Sequence, residues 1–240
     1  MSYETTYVIV AGIAWIRRTR VQTTGGRVDD SVWAVLFDDD APVALKGDAG
    51  DSTTRRGEVG GLSWELEWTE TAPPFDTPHP VLRPVAPTRL RTWPALEISG
   101  RSGGRTLNGA LGHAAQISGR RHAREWGWAH ATAPGGRWIH LLTVSAPPLP
   151  RLSQHGREGH PPGLPLARGT VAGTSVRVGP YVVDAAVETF VGLRYLDTDG
   201  SHLWWYHAEH GRLRGAGVDL EGAALEIATR TPIEGWRVGA

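Results

Sequence analysis

Apolar residues along this chain fall into short alternating runs rather than helical ones. No segment keeps them at i, i+3, i+4 and i+7 over several turns without a Gly, Pro or β-branched interruption, so long helices are not expected. Val32-Trp33-Ala34-Val35-Leu36-Phe37 is bounded by aspartates, Leu62-Ser63-Trp64-Glu65-Leu66-Glu67-Trp68 alternates strictly, and Trp126-Gly127-Trp128-Ala129-His130 does the same. Pro134-Gly135-Gly136 turns the chain into a further run, Trp138 to Val144. Val187 to Leu196, then Asp197-Thr198-Asp199-Gly200, then Leu203-Trp204-Trp205-Tyr206 reads as the run, turn and run of a hairpin. Short strands with turn signals at this spacing predict an all-β barrel or sandwich.

Two stretches break the pattern. Thr71 to Pro94 carries seven prolines, and Ala146 to Pro165 carries six with three glycines, so neither is expected to form a central strand. The second stretch is the candidate boundary. It divides the chain into a Trp-rich β domain over residues 1–148, a linker or loop over 149–165, and a second β part over 166–240 that is either a small barrel or the completion of the first.

Composition then removes whole classes of function. The chain has 25 basic and 25 acidic side chains, so its formal net charge is zero and there is no general electrostatic basis for binding nucleic acid. With 0 Cys it has no disulfide, thiolate metal site, iron–sulfur cluster or cysteine nucleophile, in keeping with a reducing compartment. The N-terminus lacks a basic region, and the apolar stretch Val8 to Ile16 is too short to span a bilayer, so a soluble cytoplasmic protein is expected. Lys46 is the only lysine, and it sits in a Gly/Asp-rich stretch that reads as a loop; the arginine bias points to a GC-rich bacterial genome. Eleven tryptophans outnumber the 5 Tyr and 3 Phe together, which supplies large, flat, polarisable walls.

Familiar catalytic motifs are missing: there is no G-x-G-x-x-G, P-loop, G-x-S-x-G or H-E-x-x-H. His207-Ala208-Glu209-His210 has the look of a metal pair until the strand period is applied, because residues three apart point to opposite faces; no metal is expected there. The informative segment is Gly112 to His130. If its last part is extended, His122, Arg124, Trp126, Trp128 and His130 share one face, and the small Gly127 and Ala129 lie on the other, as close packing against a second layer requires.

This segment resembles the signature of the lipocalin-like superfamily that includes carotenoid hydratase (hydroxyneurosporene synthase) and AttH-type proteins, with tocopherol cyclase and fungal lipocalin-like Diels–Alderases more distant. Members carry a pattern close to G-x-x-x-H-x-W-G-x-x-H-A-x-x-W-x-W-A-H, which Gly112, Gly119, His122, Ala123, Trp126, Trp128, Ala129 and His130 match. Upstream, Leu62 to Trp68 followed by Pro73-Pro74 resembles the family's Trp strand, and Pro94 to Gly100 with Gly104-Arg105-Thr106-Leu107 resembles the hairpin before the motif. The likeness covers about Gly61 to Val144. It implies a lipocalin-like antiparallel barrel, either single or as two pseudo-repeated halves, with a pocket inside or between them. One departure matters: where hydratase-like members have His-x-Trp-Gly, this chain reads Gln116-Ile117-Ser118-Gly119, so the imidazole that would move a proton is replaced by an amide.

A cavity walled by indoles suits an apolar, unsaturated substrate, with Trp64, Trp68, Trp126, Trp128 and one of the adjacent Trp204 and Trp205, namely Trp205, as the binding wall. Gln116, His122 and His130 are the candidate catalytic groups. The two histidines would titrate near neutral pH, and Glu65, Glu67 and Glu125 are carboxylate alternatives. Folding a polyene into a reactive shape needs no cofactor. The leading expectation is therefore a cofactor-independent cyclase, a Diels–Alder cyclase being one form, acting on a polyketide or isoprenoid of bacterial secondary metabolism. A hydratase or isomerase and a non-catalytic lipid or pigment carrier are the alternatives.

Overall fold

The computed structural model describes residues 1–37, 42–77, 88–120, 125–145, 151–163 and 169–237. The first half contains β1 (Ser2–Val10), β2 (Ala14–Gln22), β3 (Val28–Phe37), β4 (Pro42–Asp48), β5 (Arg56–Val59), β6 (Leu62–Glu70), β7 (Phe75–Thr77), β8 (Thr88–Ser102) and β9 (Arg105–Gly119). The second contains β10 (Glu125–Ala133), β11 (Arg137–Ser145), β12 (Leu152–Arg157), β13 (Gly169–Ala172), β14 (Ser175–Val178), β15 (Tyr181–Asp184), β16 (Val191–Leu196), β17 (His202–Gly215) and β18 (Val218–Thr229). A 3-10 turn, Val187–Thr189, precedes β16 and shortens the run expected from Val187.

Each half is one curled, nearly closed antiparallel sheet, and the two sheets repeat one another. The first runs β4-β3-β2-β1-β9-β8-β6-β5 with β7 on β8; the second runs β12-β11-β10-β18-β17-β15-β14-β13 with β16 on β17. Counting strands within each half, the first pairs with the second and ninth, and the eighth pairs with the sixth, seventh and ninth, in both. Only the fourth strand differs, joining the third strand in one half and the fifth in the other.

A shared backbone device supports the repetition. Gly100 on β8 has φ +123 and a Cβ there would lie 2.0 Å from the Glu65 carbonyl oxygen, while Gly215 on β17 has φ +132 and would meet the Pro180 carbonyl at 1.9 Å. Both sit where the eighth strand presses on the sixth or on the residue that leads into it, in a conformation that only glycine tolerates.

β10 pairs with the C-terminal β18 and carries β11, and through it β12, on its other side, so the first sheet ends with β9 and the second begins with β10. Part of the expected linker is itself the edge strand β12. The reason is long-range pairing: β10 finds its partner about a hundred residues away, at Ala224 to Ala228, which local Pro content cannot reveal. Pro94 also departs from expectation, because it lies within the central strand β8. The register shift between Trp93 and Leu96 absorbs its missing N–H in a bulge. Lys46 is on β4, opposite Trp33, rather than in a loop.

Alternation splits every central strand between two cores. On β1, Val8 and Val10 enter the first half's own core with Ile16, Val32, Leu66, Leu96 and Ile98, whereas Tyr7 and Ile9 face the other way. On β10, Ala129 and Ala131 enter the second half's core with Leu141, Val176 and Val183. A Cβ on Gly127 would lie 2.5 Å from Val171, so the small residues on this face let the layers approach. The outer faces of the two sheets meet in a third core that includes Tyr7, Ile9, Trp15, Trp33, Trp128, Leu193, Tyr195 and Trp205, with Trp126 packed against it. This shared layer is where most buried polar side chains with chemistry to offer are found.

Candidate functional site

The centre of the shared layer is a buried ion pair. Arg17 projects from β2 beside Trp15, Glu226 projects from β18, and Arg17 Nη2 donates to Glu226 Oε2 with side-chain exposures of only 3% and 8%. Trp126 Nε1 donates to the other carboxylate oxygen at 2.5 Å, and His207 Nδ1 is 3.6 Å from the first. The guanidinium is caged by aromatic faces, 3.7 Å over Trp205 and 5.2 Å from the rings of both Tyr7 and Trp15. A cation–π cage of this kind contributes about 2 kcal/mol where water is excluded, and it offsets part of the cost of burying the charge. Strand register explains the convergence: His207, Glu226 and Trp128 are successive cross-strand partners on β17, β18 and β10.

A stack of imidazoles lies alongside. His113 on β9 stacks on His130 on β10 with ring centroids 4.0 Å apart, and His130 Nδ1 is 3.5 Å from His140 Nδ1 on β11. His130 Nε2 is 2.8 Å from the carbonyl of Pro94, exposed by the β8 bulge, so Nε2 carries the proton. Thr132 Oγ1 donates to the same carbonyl at 3.2 Å. Burial pushes His130 down to about 4, the Pro94 bond opposing it. Burial, reinforced by His130 and His140, holds His113 well below the ordinary histidine range, and burial with Arg17 does the same to His207. At pH 7 these three imidazoles are neutral. The expectation that His130 titrates near neutrality is therefore corrected: desolvation outweighs its hydrogen bond.

Glu209 behaves in the opposite way. It is fully buried on the same face of β17 as Trp205 and His207, and among the described residues its Oε2 accepts only a long bond, 3.4 Å, from Gly12 N–H in the β1–β2 turn. Burial raises it to about 8, so it is a neutral carboxylic acid at pH 7. His210, one residue on, is exposed with φ +63, so His207 and His210 do not converge. Among the described residues, no three His, Cys, Asp or Glu side chains are grouped to hold a metal.

Several polar atoms in this layer lack a hydrogen-bond partner. Trp15 Nε1, Trp128 Nε1, Trp205 Nε1, Arg17 Nε, His113 Nε2 and Glu209 Oε1 are buried without one among the described residues. Each such group costs about 1–3 kcal/mol, and native proteins concentrate such costs at functional sites.

Of the residues singled out from the sequence, the structure brings Trp126, Trp128, Trp205 and His130 together in this layer. It separates the others. Trp64 is buried in the first half's own core with Nε1 donating to Thr53 O at 2.9 Å, and Trp68 is half-buried under the Arg55 guanidinium at 3.8 Å. Gln116 is exposed on the opposite face of β9 from His113, donating to Glu4. Glu65 and Glu67 are exposed, and Glu125 pairs with Arg151. His122 lies outside the described residues. Trp15, Arg17, His113, Glu209 and Glu226 were not selected; a lone carboxylate inside the apolar run Ala223-Ala224-Leu225-Glu226-Ile227-Ala228 was the available signal.

No protein-family model matches the chain, and no curated protein sequence matches it. Among solved structures, a protein of Nitrosomonas europaea described as an AttH candidate aligns over 95% of this chain and 91% of its own, with a TM-score of 0.53 and 14% sequence identity. That likeness is one of fold: two repeated, nearly closed antiparallel sheets packed on one another. Among the described residues, no helix is long and apolar enough to cross a membrane.

Proposed function

We propose that the chain binds an apolar, unsaturated small molecule between its two halves and folds it toward ring closure without a cofactor. The observation that carries this reading is the set of buried indole and imidazole nitrogens that face the shared aromatic layer without a partner. Such a layer offers apolar walls for a chain, faces that stabilise developing positive charge, and donors that polarise an oxygen. Neutral imidazoles orient and polarise rather than protonate, which suits a cyclase acting on a polyketide or isoprenoid better than an imidazolium-driven reaction. Confining a flexible polyene near its reactive shape lowers the barrier by up to about 7 kcal/mol.

One observation favours a second reading. Glu209 is protonated near neutral pH and could supply a proton to an alkene, as a hydratase or isomerase requires. Incubating the protein with linear polyene ketones in heavy water and following products by mass spectrometry separates the two. A cyclase gives a product of unchanged mass without solvent deuterium. A hydratase adds one water, and an isomerase acting through protonation incorporates deuterium. Polyene quenching of Trp fluorescence with no product supports a carrier and removes both.

A further inference from the structure

We infer that the Arg17–Glu226 centre docks one uncharged oxygen acceptor of the bound molecule, a ketone, ester or amide carbonyl, with Trp15, Trp205 and Arg17 as its donors. This rests on the reading that an apolar molecule binds between the halves, and it adds the chemical class of its polar end and where that end goes.

Donors outnumber acceptors at this centre. The Glu226 carboxylate serves Arg17 Nη2 and Trp126 Nε1, while Trp15 Nε1, Trp128 Nε1, Trp205 Nε1 and Arg17 Nε remain without an acceptor among the described residues. They are neighbours. Arg17 lies 3.7 Å over the Trp205 ring and 5.2 Å from that of Trp15, and the Trp15 and Trp128 centroids are 5.7 Å apart. Neutral His207, 4.3 Å from the Trp15 ring, has one lone pair to offer, fewer than the donors left over; indole and guanidinium N–H groups cannot accept, so an incoming acceptor is needed to satisfy the rest.

Charge decides which acceptor. Arg17 is already neutralised by Glu226 in a site with almost no solvent contact, and His207 is held neutral beside it. A second carboxylate would face no uncompensated cation and would be repelled by Glu226 at low dielectric. The Tyr7 hydroxyl, raised by burial first and then by Glu226, marks the same disfavour toward anions. A neutral carbonyl oxygen carries two lone pairs and no desolvation penalty of a full charge. A wholly hydrocarbon molecule would leave the donors as they are.

Three probes with similar isoprenoid chains test this: farnesylacetone with a ketone, farnesoic acid with a carboxylate at pH 7, and β-farnesene with neither. Dissociation constants from quenching of Trp fluorescence, checked by calorimetry, are expected to place the ketone about tenfold or more below the other two, the equivalent of one well-made hydrogen bond. Trp15→Phe and Trp205→Phe keep an aromatic ring and delete the N–H. They are expected to collapse the ratio of the β-farnesene to the ketone dissociation constant, measured within the same variant, from about tenfold to about twofold or less. The wild-type comparison stands even if a variant fails to fold. Equal affinities for ketone and hydrocarbon, or tighter binding of farnesoate, overturn this inference while leaving binding between the halves intact; no quenching by any of the three overturns both.

Discussion

Replacing either member of the Arg17–Glu226 pair alone should be far more damaging than replacing both. Their side chains are 3% and 8% exposed, so Glu226→Leu strands a guanidinium that cannot deprotonate, and Arg17→Met strands a carboxylate. Breaking a buried pair costs about 3–5 kcal/mol. The aromatic cage of Tyr7, Trp15 and Trp205 still holds Arg17 in Glu226→Leu, which places that variant near the lower figure. Arg17→Met leaves Glu226 with Trp126 and a neutral His207, which places it near the upper one. For a chain of this size each loss lowers Tm by roughly 6–20 °C. The double variant Arg17→Met/Glu226→Leu substitutes apolar groups on both sides and should return to within about 1 kcal/mol of wild type, or exceed it. Urea unfolding at pH 7 gives the double-mutant cycle directly. Single losses that simply add in the double variant would refute the coupled buried pair.

The remaining expectations follow from other parts of the same structure. Gly100→Ala and Gly215→Ala force a Cβ onto a carbonyl at 2.0 Å and 1.9 Å in a φ only glycine tolerates, and each should cost more than about 3 kcal/mol; Gly104→Ala, with φ +80 but nothing nearby, should cost about 1 kcal/mol in the same thermal melts. Stability should peak near pH 6.5. Below it, the depressed His113, His130 and His207 bind fewer protons folded than unfolded, so stability falls as pH drops, His130 alone accounting for about 3 kcal/mol between its unfolded 6.5 and folded value of about 4. Above it, Glu209, raised from 4.5 to about 8, holds its proton when folded and not when unfolded, so stability declines until pH 8; Glu209→Gln should flatten that limb in urea titrations. Trp128→Phe loses no internal hydrogen bond and should destabilise less than Trp64→Phe, which strips the Thr53 carbonyl of its donor, while polyene binding should show the reverse order.

Period-two alternation was enough to read β3, β6, β10 and β11 from the sequence, along with the hairpin through Asp197 to Gly200 and the shared face of Trp126, Trp128 and His130. These are local signals, each contained in one strand or one turn. What was not legible depends on distant pairing. Arg17 and Glu226 are 209 positions apart, and nothing near Trp15 distinguishes it from a scattered structural tryptophan until β2 is laid against the second half. The motif segment includes β10, which the structure lays along the shared layer. Trp64 alternates equally well as a strand residue facing its own half's core, where it lies. Gln116 is out of phase with His113, Ala115 and Ile117, which take the shared-layer side of β9. The duplicated strand order emerges only from pairing between distant strands, and the matched Gly100 and Gly215 are single-residue signals that sequence reading did not connect.

The central claim is that the ligand lies between the halves, and the indole N–H region of a nitrogen-15 NMR spectrum tests it most directly. With the tryptophan signals assigned through single Trp→Phe variants, titration of farnesylacetone should shift Trp15, Trp128 and Trp205 and leave Trp64, bonded to Thr53, in place. Shifts at Trp64 and Trp68 with Trp15, Trp128 and Trp205 unmoved would put the molecule inside the first half and contradict the account.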